Sequence, residues 1–213
     1  MKTDNRTKIA LYLMLGATSL LLFAFGTKLP GLAPRILSAL PLAITALIGF
    51  FDRWAWRWPV VRKFVHRPWI AGTWIGELTS YRRDPASDSP IISKHPVVLR
   101  IDQTFTSISV VLMTAESKSR SLAAEFTHHP NDDFTLHYTY DNTPKLEYRD
   151  RSKIHRGSTA AEMHGATPAT MESEYWTNRD SKGTFTLERL SRNRVSSFEE
   201  ANKLADAAKK EKK

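Results

Sequence analysis

The chain has 213 residues, no cysteine, and 31 lysines and arginines against 22 acidic residues, which gives a formal net charge of +9. This length excludes a large multidomain enzyme, and the absence of cysteine excludes disulfides, thiolate nucleophiles and iron–sulfur clusters. The charge is uneven, because residues 1–67 contain 10 of the basic residues and only two acidic ones, Asp4 and Asp52. The rest of the chain is nearly neutral, so we expect neither DNA nor RNA as a partner.

Two uncharged apolar runs lie near the start of the chain. The first covers residues 9–26 and the second residues 36–51, with two prolines and a glycine between them. A membrane-spanning helix needs about 20 mostly apolar residues. We therefore predict two transmembrane helices at about 9–27 and 33–52, within a first domain of residues 1–67. A cleaved signal peptide and a pair of buried helices are the alternatives, and the second apolar run argues against a signal peptide.

Basic residues flank the hairpin on both sides, whereas the loop between its helices has only Lys28 and Arg35. The flanking residues are Lys2, Arg6 and Lys8 before the first helix, and Arg53, Arg57, Arg62, Lys63 and Arg67 after the second. Positive charge beside a span favours the cytoplasmic side. This predicts a multi-pass protein whose termini and remaining chain are cytoplasmic. The tryptophans among these arginines are typical of the lipid headgroup region.

From Gly72 onward the hydrophobic period changes to two, which is typical of strands with one buried face. Eight such runs, separated by turn sequences, lie at 72–81, 94–102, 105–114, 120–129, 133–141, 155–164, 170–178 and 183–191. Closure of consecutive strands into a barrel removes exposed edges. The predicted fold class is therefore a membrane helical hairpin plus an all-β domain at 68–195, a minimal eight-stranded antiparallel up-and-down β-barrel. A β-sandwich is the alternative.

The last segment, residues 196–213, is predicted to be a basic helical or disordered tail. Its Ser-x-x-Glu pairs, Ser196 with Glu199 and Ser197 with Glu200, are typical of a helix N-terminus. We expect this helix to be solvated, and no role is assigned to its terminal Lys-Lys-Glu-Lys-Lys sequence.

The sequence contains no glycine-rich phosphate loop, zinc-protease motif or hydrolase elbow, so we expect no enzyme activity, no cofactor and no metal site. One histidine and aspartate cluster could hold a metal, although a solvated turn is the favoured interpretation; it comprises His128, His129, Asp132 and Asp133. His155, Ser158 and Asp150 could form a catalytic triad, but nothing in the sequence fixes their geometry.

Aromatic, amide and guanidinium side chains concentrate near the predicted strand ends. Aromatic faces stack on bases, and arginine forks hold phosphates. The candidate ligand-binding residues are Trp74, Tyr81, Tyr140, Asn142, His155, Arg156, Tyr175, Thr177 and Arg179. Alternation along a strand places Tyr175, Thr177 and Arg179 on one face, and this face is preferred. The competing interpretation is that the aromatic residues fill the core.

Four motifs follow the hairpin in order: Gly-Thr-Trp-Ile-Gly (72–76), Tyr-x-Tyr-x-Asn-x-Pro (138–144), His-Arg-Gly (155–157) and Glu-Tyr-Trp-Thr-Asn-Arg (174–179). With them the chain resembles, over residues 9–192, the two-transmembrane, β-strand-rich effectors associated with CD-NTase enzymes in CBASS anti-phage defence.

This resemblance implies a minimal barrel that senses a cyclic dinucleotide made by a partner CD-NTase. It further implies that ligand binding promotes a homo-oligomer, and that the helices then disrupt the lipid bilayer of the inner membrane and kill the infected cell. A membrane-tethered, lipocalin-like carrier of lipids or other hydrophobic molecules is the alternative function, and a cofactor-free enzyme is a less favoured one.

Overall fold

The computed structural model describes residues 5–28, 30–84, 87, 89–150 and 152–211. The chain forms two compact units, Met1–Val61 and Arg62–Lys213. Some residues of the predicted charge pattern lie outside the described part of the structure. They are Lys2, Lys212 and Lys213, together with the side chains of Arg6, Lys8, Arg35 and Lys63.

The first unit contains the helices α1 (Asn5–Gly26) and α2 (Leu32–Arg53), and the short helix α3 (Pro59–Val65) begins at its end. α1 and α2 contact each other, and Ser19 Oγ lies 3.4 Å from Thr45 Oγ1. A hydrogen bond between small hydroxyl side chains is typical of helices that pack in apolar surroundings. The predicted N-terminal pair of helices is confirmed.

α2 is long and apolar enough to cross a membrane over residues Ile36–Arg53, whereas the apolar run in α1, Leu11–Gly26, is shorter. Large apolar side chains of both helices, such as Phe25 and Leu47, are exposed. Exposed apolar surface of this extent is costly in water. One or two apolar N-terminal helices therefore suggest that the protein is anchored in a membrane.

The second unit is an eight-stranded antiparallel barrel in which each strand pairs with the next and β8 pairs with β1. The strands are β1 (Gly72–Arg83), β2 (Pro90–Gln103), β3 (Ile108–Met113), β4 (Ser117–His129), β5 (Asp133–Pro144), β6 (His155–His164), β7 (Thr170–Thr177) and β8 (Lys182–Ser191). This closed order confirms the predicted up-and-down barrel and excludes the sandwich. Alternate side chains of every strand point inward, and the inward apolar ones form one core.

One end of the barrel is plugged by the chain that enters β1. Ile70 is fully buried there, and its N–H donates to Gln103 Oε1 at 2.9 Å. The indole of Trp74 donates to the Ile70 carbonyl at 2.9 Å. Arg189 lies 4.6 Å from the Trp74 ring centre and donates to the Trp69 carbonyl, while its burial lowers its pKa to about 10. These contacts close this end with side chains rather than leaving a channel.

The tail forms helix α4 (Phe198–Glu211), which packs on the outside of the barrel. Ala201 is fully buried against Val98 and Met113, so the expectation of a solvated helix is wrong. The small alanine side chains allow close approach to the sheet, and this buried stripe outweighs the lysine-rich composition. At its N-terminus the Glu200 N–H donates to Ser197 Oγ at 3.1 Å, as a capping box requires.

Candidate functional site

The barrel end opposite the plug contains a cavity of about 380 Å³. Its walls come from all eight strands and from the loops that join β3 to β4, β5 to β6 and β7 to β8. Leu78, Leu112 and Phe185 line its deep part and continue into the core. Most of the other lining side chains are hydroxyls, tyrosines and histidines. The cavity is therefore polar but largely uncharged.

One wall of the cavity is the ring of Tyr140 on β5. Its strand neighbour on β6 is Gly157. A Cβ atom added to Gly157 would overlap the Tyr140 hydroxyl and ring carbon Cζ, and would lie 2.7 Å from the Trp176 carbonyl oxygen. The missing side chain thus leaves the space that the Tyr140 ring occupies. Burial raises the pKa of Tyr140, and its neighbours Tyr138 and Tyr175 raise it further.

A second tyrosine is placed in the same way. Tyr175 on β7 pairs with Gly183 on β8, where an added Cβ would lie 2.6 Å from Tyr175 Cε1. Burial raises the pKa of Tyr175, against the effect of its hydrogen bond to Ser80. Burial also raises the pKa of Tyr138 to about 12, although a hydrogen bond to Thr159 opposes this shift. All three tyrosines stay neutral at physiological pH and offer hydroxyls rather than charge.

Asn142 contributes an amide whose orientation is fixed by two serines of β4. Its Nδ2 donates to Ser117 Oγ at 3.1 Å and to Ser119 Oγ at 2.8 Å. Its Oδ1 is buried and has no hydrogen-bond partner among the described residues. Because a buried acceptor without a donor is unfavourable, this side chain of the cavity wall has a hydrogen-bonding capacity that the protein leaves unused.

The mouth of the cavity is where positive charge collects. Arg179 is the only lysine or arginine that lines the cavity within the described part of the chain, and its Nη1 donates to the Lys153 carbonyl at 3.1 Å. Burial lowers the pKa of Arg179, and repulsion from the Arg82 guanidinium lowers it further. An open basin outside the mouth adds the basic residues Arg82, Arg83 and Lys182, and it is also lined by the acidic residues Asp84, Glu116 and Asp180. Two like charges held close together would be stabilised by an anion, so the mouth is suited to a phosphate.

His155 also lines the cavity, and its Nδ1 lies 3.0 Å from the Lys153 carbonyl oxygen. Burial is the main cause of its lowered pKa, and the charge of Arg179 acts in the same direction, while the contact with the carbonyl opposes both. Ser158 points outward from β6, on the face opposite His155, so His155 and Ser158 do not belong to one catalytic triad. Among the described residues, no group of three metal-ligating side chains is present.

The structure brings six of the nine predicted site residues to the cavity: Tyr140, Asn142, His155, Tyr175, Thr177 and Arg179. Tyr81 instead lines the outer basin. Trp74 points into the barrel but lies at the plugged end, under Arg189. Arg156 lies on the outer face, where its Nε is 2.7 Å from Asp141 Oδ1. Trp74 and Arg156 are therefore not part of the cavity.

Several lining residues were not among the predicted ones, namely Ser80, Ser117, Ser119, Tyr138, Tyr148 and Thr159. For Ser80 the alternation gave a signal, because it is in phase with inward Leu78. Ser119 is the direct cross-strand partner of Asn142, and only the strand register reveals that proximity.

Comparisons with known proteins point to one family. The Cap15 cyclic dinucleotide receptor domain matches residues 65–189, which is more than half of the chain and includes most of the barrel. CD-NTase-associated protein 15 of Staphylococcus schleiferi is 28% identical over 140 residues, which cover 66% of this chain and 71% of that protein. These findings confirm the resemblance drawn from the motifs. The chain belongs to the family of Cap15 cyclic dinucleotide receptor domains.

Proposed function

We propose that the cavity binds a cyclic dinucleotide second messenger produced by a partner CD-NTase, and that the protein is a non-catalytic effector of CBASS anti-phage defence. The observation that carries this proposal is the division of the site: tyrosines and hydroxyl side chains wall its interior, and its charged lining residues, Arg179 and Glu116, also line the basin at the mouth. Bases stack on aromatic rings, whereas phosphates require cations. A ligand with both groups fits this arrangement.

Within this proposal Arg179 holds a phosphate. Its guanidinium is partly buried, it lies near Arg82, and it has one hydrogen bond to a backbone carbonyl. A guanidinium that has lost part of its hydration binds an anion more strongly than a fully exposed one. The rings of Tyr140 and Tyr175 are the stacking surfaces, and Asn142, Thr177 and His155 supply polar contacts.

The proposed response is self-association, followed by disruption of the inner membrane by the two helices and death of the infected cell. The hairpin (1–67) would be the output domain, the barrel (68–195) the sensor, and the tail (196–213) an accessory element. The apolar surface of α2 supports the membrane assignment. The basic residues on both flanks of the hairpin support a cytoplasmic barrel with cytoplasmic termini.

The test compares two arginines of different position. Calorimetric titration of the full-length protein in detergent with cyclic dinucleotides should show that Arg179→Ala weakens binding about 10- to 100-fold, the loss expected for a charged hydrogen bond. Arg156→Ala removes the same charge from the outer face and should change the affinity less than about twofold. Equal losses from both variants, or no loss from either, would exclude Arg179 as the phosphate ligand.

The same preparation tests the proposed response and the alternative function. Dye release from liposomes that contain the protein should require the ligand and should be lost in Arg179→Ala. Release without ligand would contradict the proposal. Binding of fatty acids together with no binding of any cyclic dinucleotide would favour a lipocalin-like carrier.

A further inference from the structure

The cavity is small for a cyclic dinucleotide. Pockets that enclose drug-sized ligands have volumes of about 300–1,000 Å³, and this cavity, at about 380 Å³, lies at the lower end. A cyclic dinucleotide contains two nucleosides and two phosphates in one ring. Part of such a ligand can enter the barrel, and the remainder must lie outside the mouth.

Charge determines which part enters. The interior offers hydroxyls, tyrosines, two histidines and one amide. Within the described part of the chain its only lysine or arginine is Arg179 at the mouth, and its only carboxylate, Glu116, also lines the basin there. Burying a phosphate away from cations is very unfavourable, whereas burying a base beside aromatic rings is favourable. The phosphates therefore stay at the mouth, and one base points inward.

We infer that the barrel reads the two bases of its ligand unequally: one base is selected inside the cavity, and the other lies on the outer basin and is accepted with little selection. This inference rests on the proposed function. It adds a property that the family match does not state, namely that one correct base is sufficient for recognition.

The inner position has the features of a selective site. The amide of Asn142 is held by Ser117 and Ser119, and its free Oδ1 acceptor requires an N–H or O–H donor. Ser80 and Thr159 are hydrogen-bonded to tyrosines of the same wall, so they too have limited freedom. A base whose edge leaves such buried groups unpaired is rejected strongly.

The outer position has the opposite features. Tyr81 pairs with Lys182 across β1 and β8, and Trp176 pairs with Lys182 across β7 and β8, so the three residues form one row on the outer face below the mouth. Trp176 is 53% exposed and Tyr81 is 38% exposed. Stacking on exposed rings tolerates every base, because each base has a π face and its edge remains hydrated.

The experiment compares symmetric and mixed ligands on the full-length protein in detergent. The probes are the 3′,3′-linked cyclic dinucleotides built from two AMP, two GMP or two UMP units, and the three mixed compounds of the same nucleotides. If one base is selected, a mixed ligand with one preferred base should bind within about twofold of the preferred symmetric ligand. The factor of about two arises because the symmetric ligand can insert either of its bases, whereas the mixed ligand can insert only one. If both bases were read equally, the mixed ligand's Kd would lie at the geometric mean of the two symmetric ones, about 10-fold weaker when these differ 100-fold.

Two variants separate the inner and outer positions. Asn142→Ala should reduce the ratio of affinities between the preferred and the rejected symmetric ligand by about 10-fold or more. Trp176→Ala should weaken every ligand by a similar factor, about 5- to 150-fold, and leave that ratio unchanged. Ser119→Ala removes one of the two hydrogen bonds that orient the Asn142 amide, and it should lower the same affinity ratio. Thermal unfolding verifies that each variant is folded.

The possible results distinguish this inference from the proposed function. Absence of binding by all six ligands would overturn both. Binding with mixed ligands at the geometric mean, or with equal affinity for all three symmetric ligands, would overturn unequal reading and leave the cyclic dinucleotide receptor intact. A change of ratio in Trp176→Ala but not in Asn142→Ala would place the selective base in the outer basin and would also overturn the inference.

Discussion

Gly157 is the position where a single methyl group should affect both stability and ligand binding. In Gly157→Ala the new Cβ overlaps the tip of the Tyr140 ring and lies 2.7 Å from the Trp176 carbonyl oxygen. The ring must move toward the cavity, and β6 and β7 must separate slightly. Overpacking of this kind costs about 1–3 kcal/mol. For a folded unit of this size, we expect Tm to fall by about 2–12 °C.

We expect the displaced Tyr140 ring to affect ligand affinity more than it affects the stability of the fold. If Tyr140 loses its place against the wall, the stacking surface is misplaced, and removing such a surface costs about 1–3 kcal/mol of binding. We therefore expect affinity for a cyclic dinucleotide to fall about 5- to 150-fold. The measurements are thermal unfolding followed by near-ultraviolet circular dichroism and calorimetric titration, both on the full-length protein in detergent.

A double-mutant cycle tests the cause. Tyr140→Leu removes the ring atoms that meet the new Cβ. In that background, the loss of unfolding free energy caused by Gly157→Ala should therefore be no more than half of its loss in the wild type. The part that remains comes from the contact with the Trp176 carbonyl. The two changes are neighbours and should show clear coupling. If Gly157→Ala costs the same in both backgrounds, the conclusion that Gly157 makes room for Tyr140 is refuted.

Two further predictions concern single polar groups. Thr73 is fully buried, and its hydroxyl donates to the Asn193 carbonyl at 2.7 Å and accepts from the Val195 N–H at 3.1 Å. Thr73→Val should therefore destabilise the barrel by about 2–5 kcal/mol in denaturant titrations. If Thr73→Val were as stable as Thr73→Ser, the prediction would be contradicted. The folded protein favours neutral His155, because its pKa in the folded state lies below the ordinary value of 6.5. The contribution of this preference to the free energy of unfolding is complete above pH 6.5 and is lost as the pH falls through the folded pKa. Wild-type Tm should thus fall more steeply than that of His155→Gln between pH 7.5 and 5, and parallel curves would show that His155 does not contribute.

The strand pattern could be predicted because alternation directly reflects one buried face. All eight predicted runs correspond to strands, and β6 has the predicted limits. One residue departs from simple alternation. Alternation along residues 120–129 places Leu122 on the same face as Ala124 and Phe126, yet Leu122 is 58% exposed because a bulge lies between Ser121 and Ala123. A bulge shifts the phase by one residue, and nothing in the local sequence marks which residue is extra.

Burial on the outside of a barrel also escapes sequence patterns. Val98 points outward, opposite inward Val97 and Leu99, yet it is buried because α4 covers it. From the sequence alone, the alanines of α4 are consistent with a solvated helix. Their role as a contact surface depends on where the chain returns after β8, and this is a property of the tertiary structure.

The sequence predicts which side chains of the candidate site point into the barrel, but it does not predict their position along the barrel axis. Trp74 and Tyr175 both point inward, as alternation requires, but they lie toward opposite ends of the barrel. Arg156 and Gly157 are neighbours in one motif, and it is the glycine, not the arginine, that faces the cavity wall. Which inward residues share a level depends on strand tilt and register, and these are set by pairings between distant segments.

The pairing of β8 with β1 has a consequence for how copies of this protein could join. Every strand has a hydrogen-bonded neighbour on each side, so no strand of the ring has a fully unpaired edge, although β2 before Val98 and β4 after Arg120 are paired on one side alone in the described structure. Addition of a strand along a whole edge, which lets many β-proteins polymerise through backbone contacts alone, is therefore not open to an intact barrel. Copies can associate through side chains on the barrel wall or through their helices. Contacts of that kind are sequence-specific and reversible, so single substitutions on the barrel wall or the helices should control the self-association that we propose.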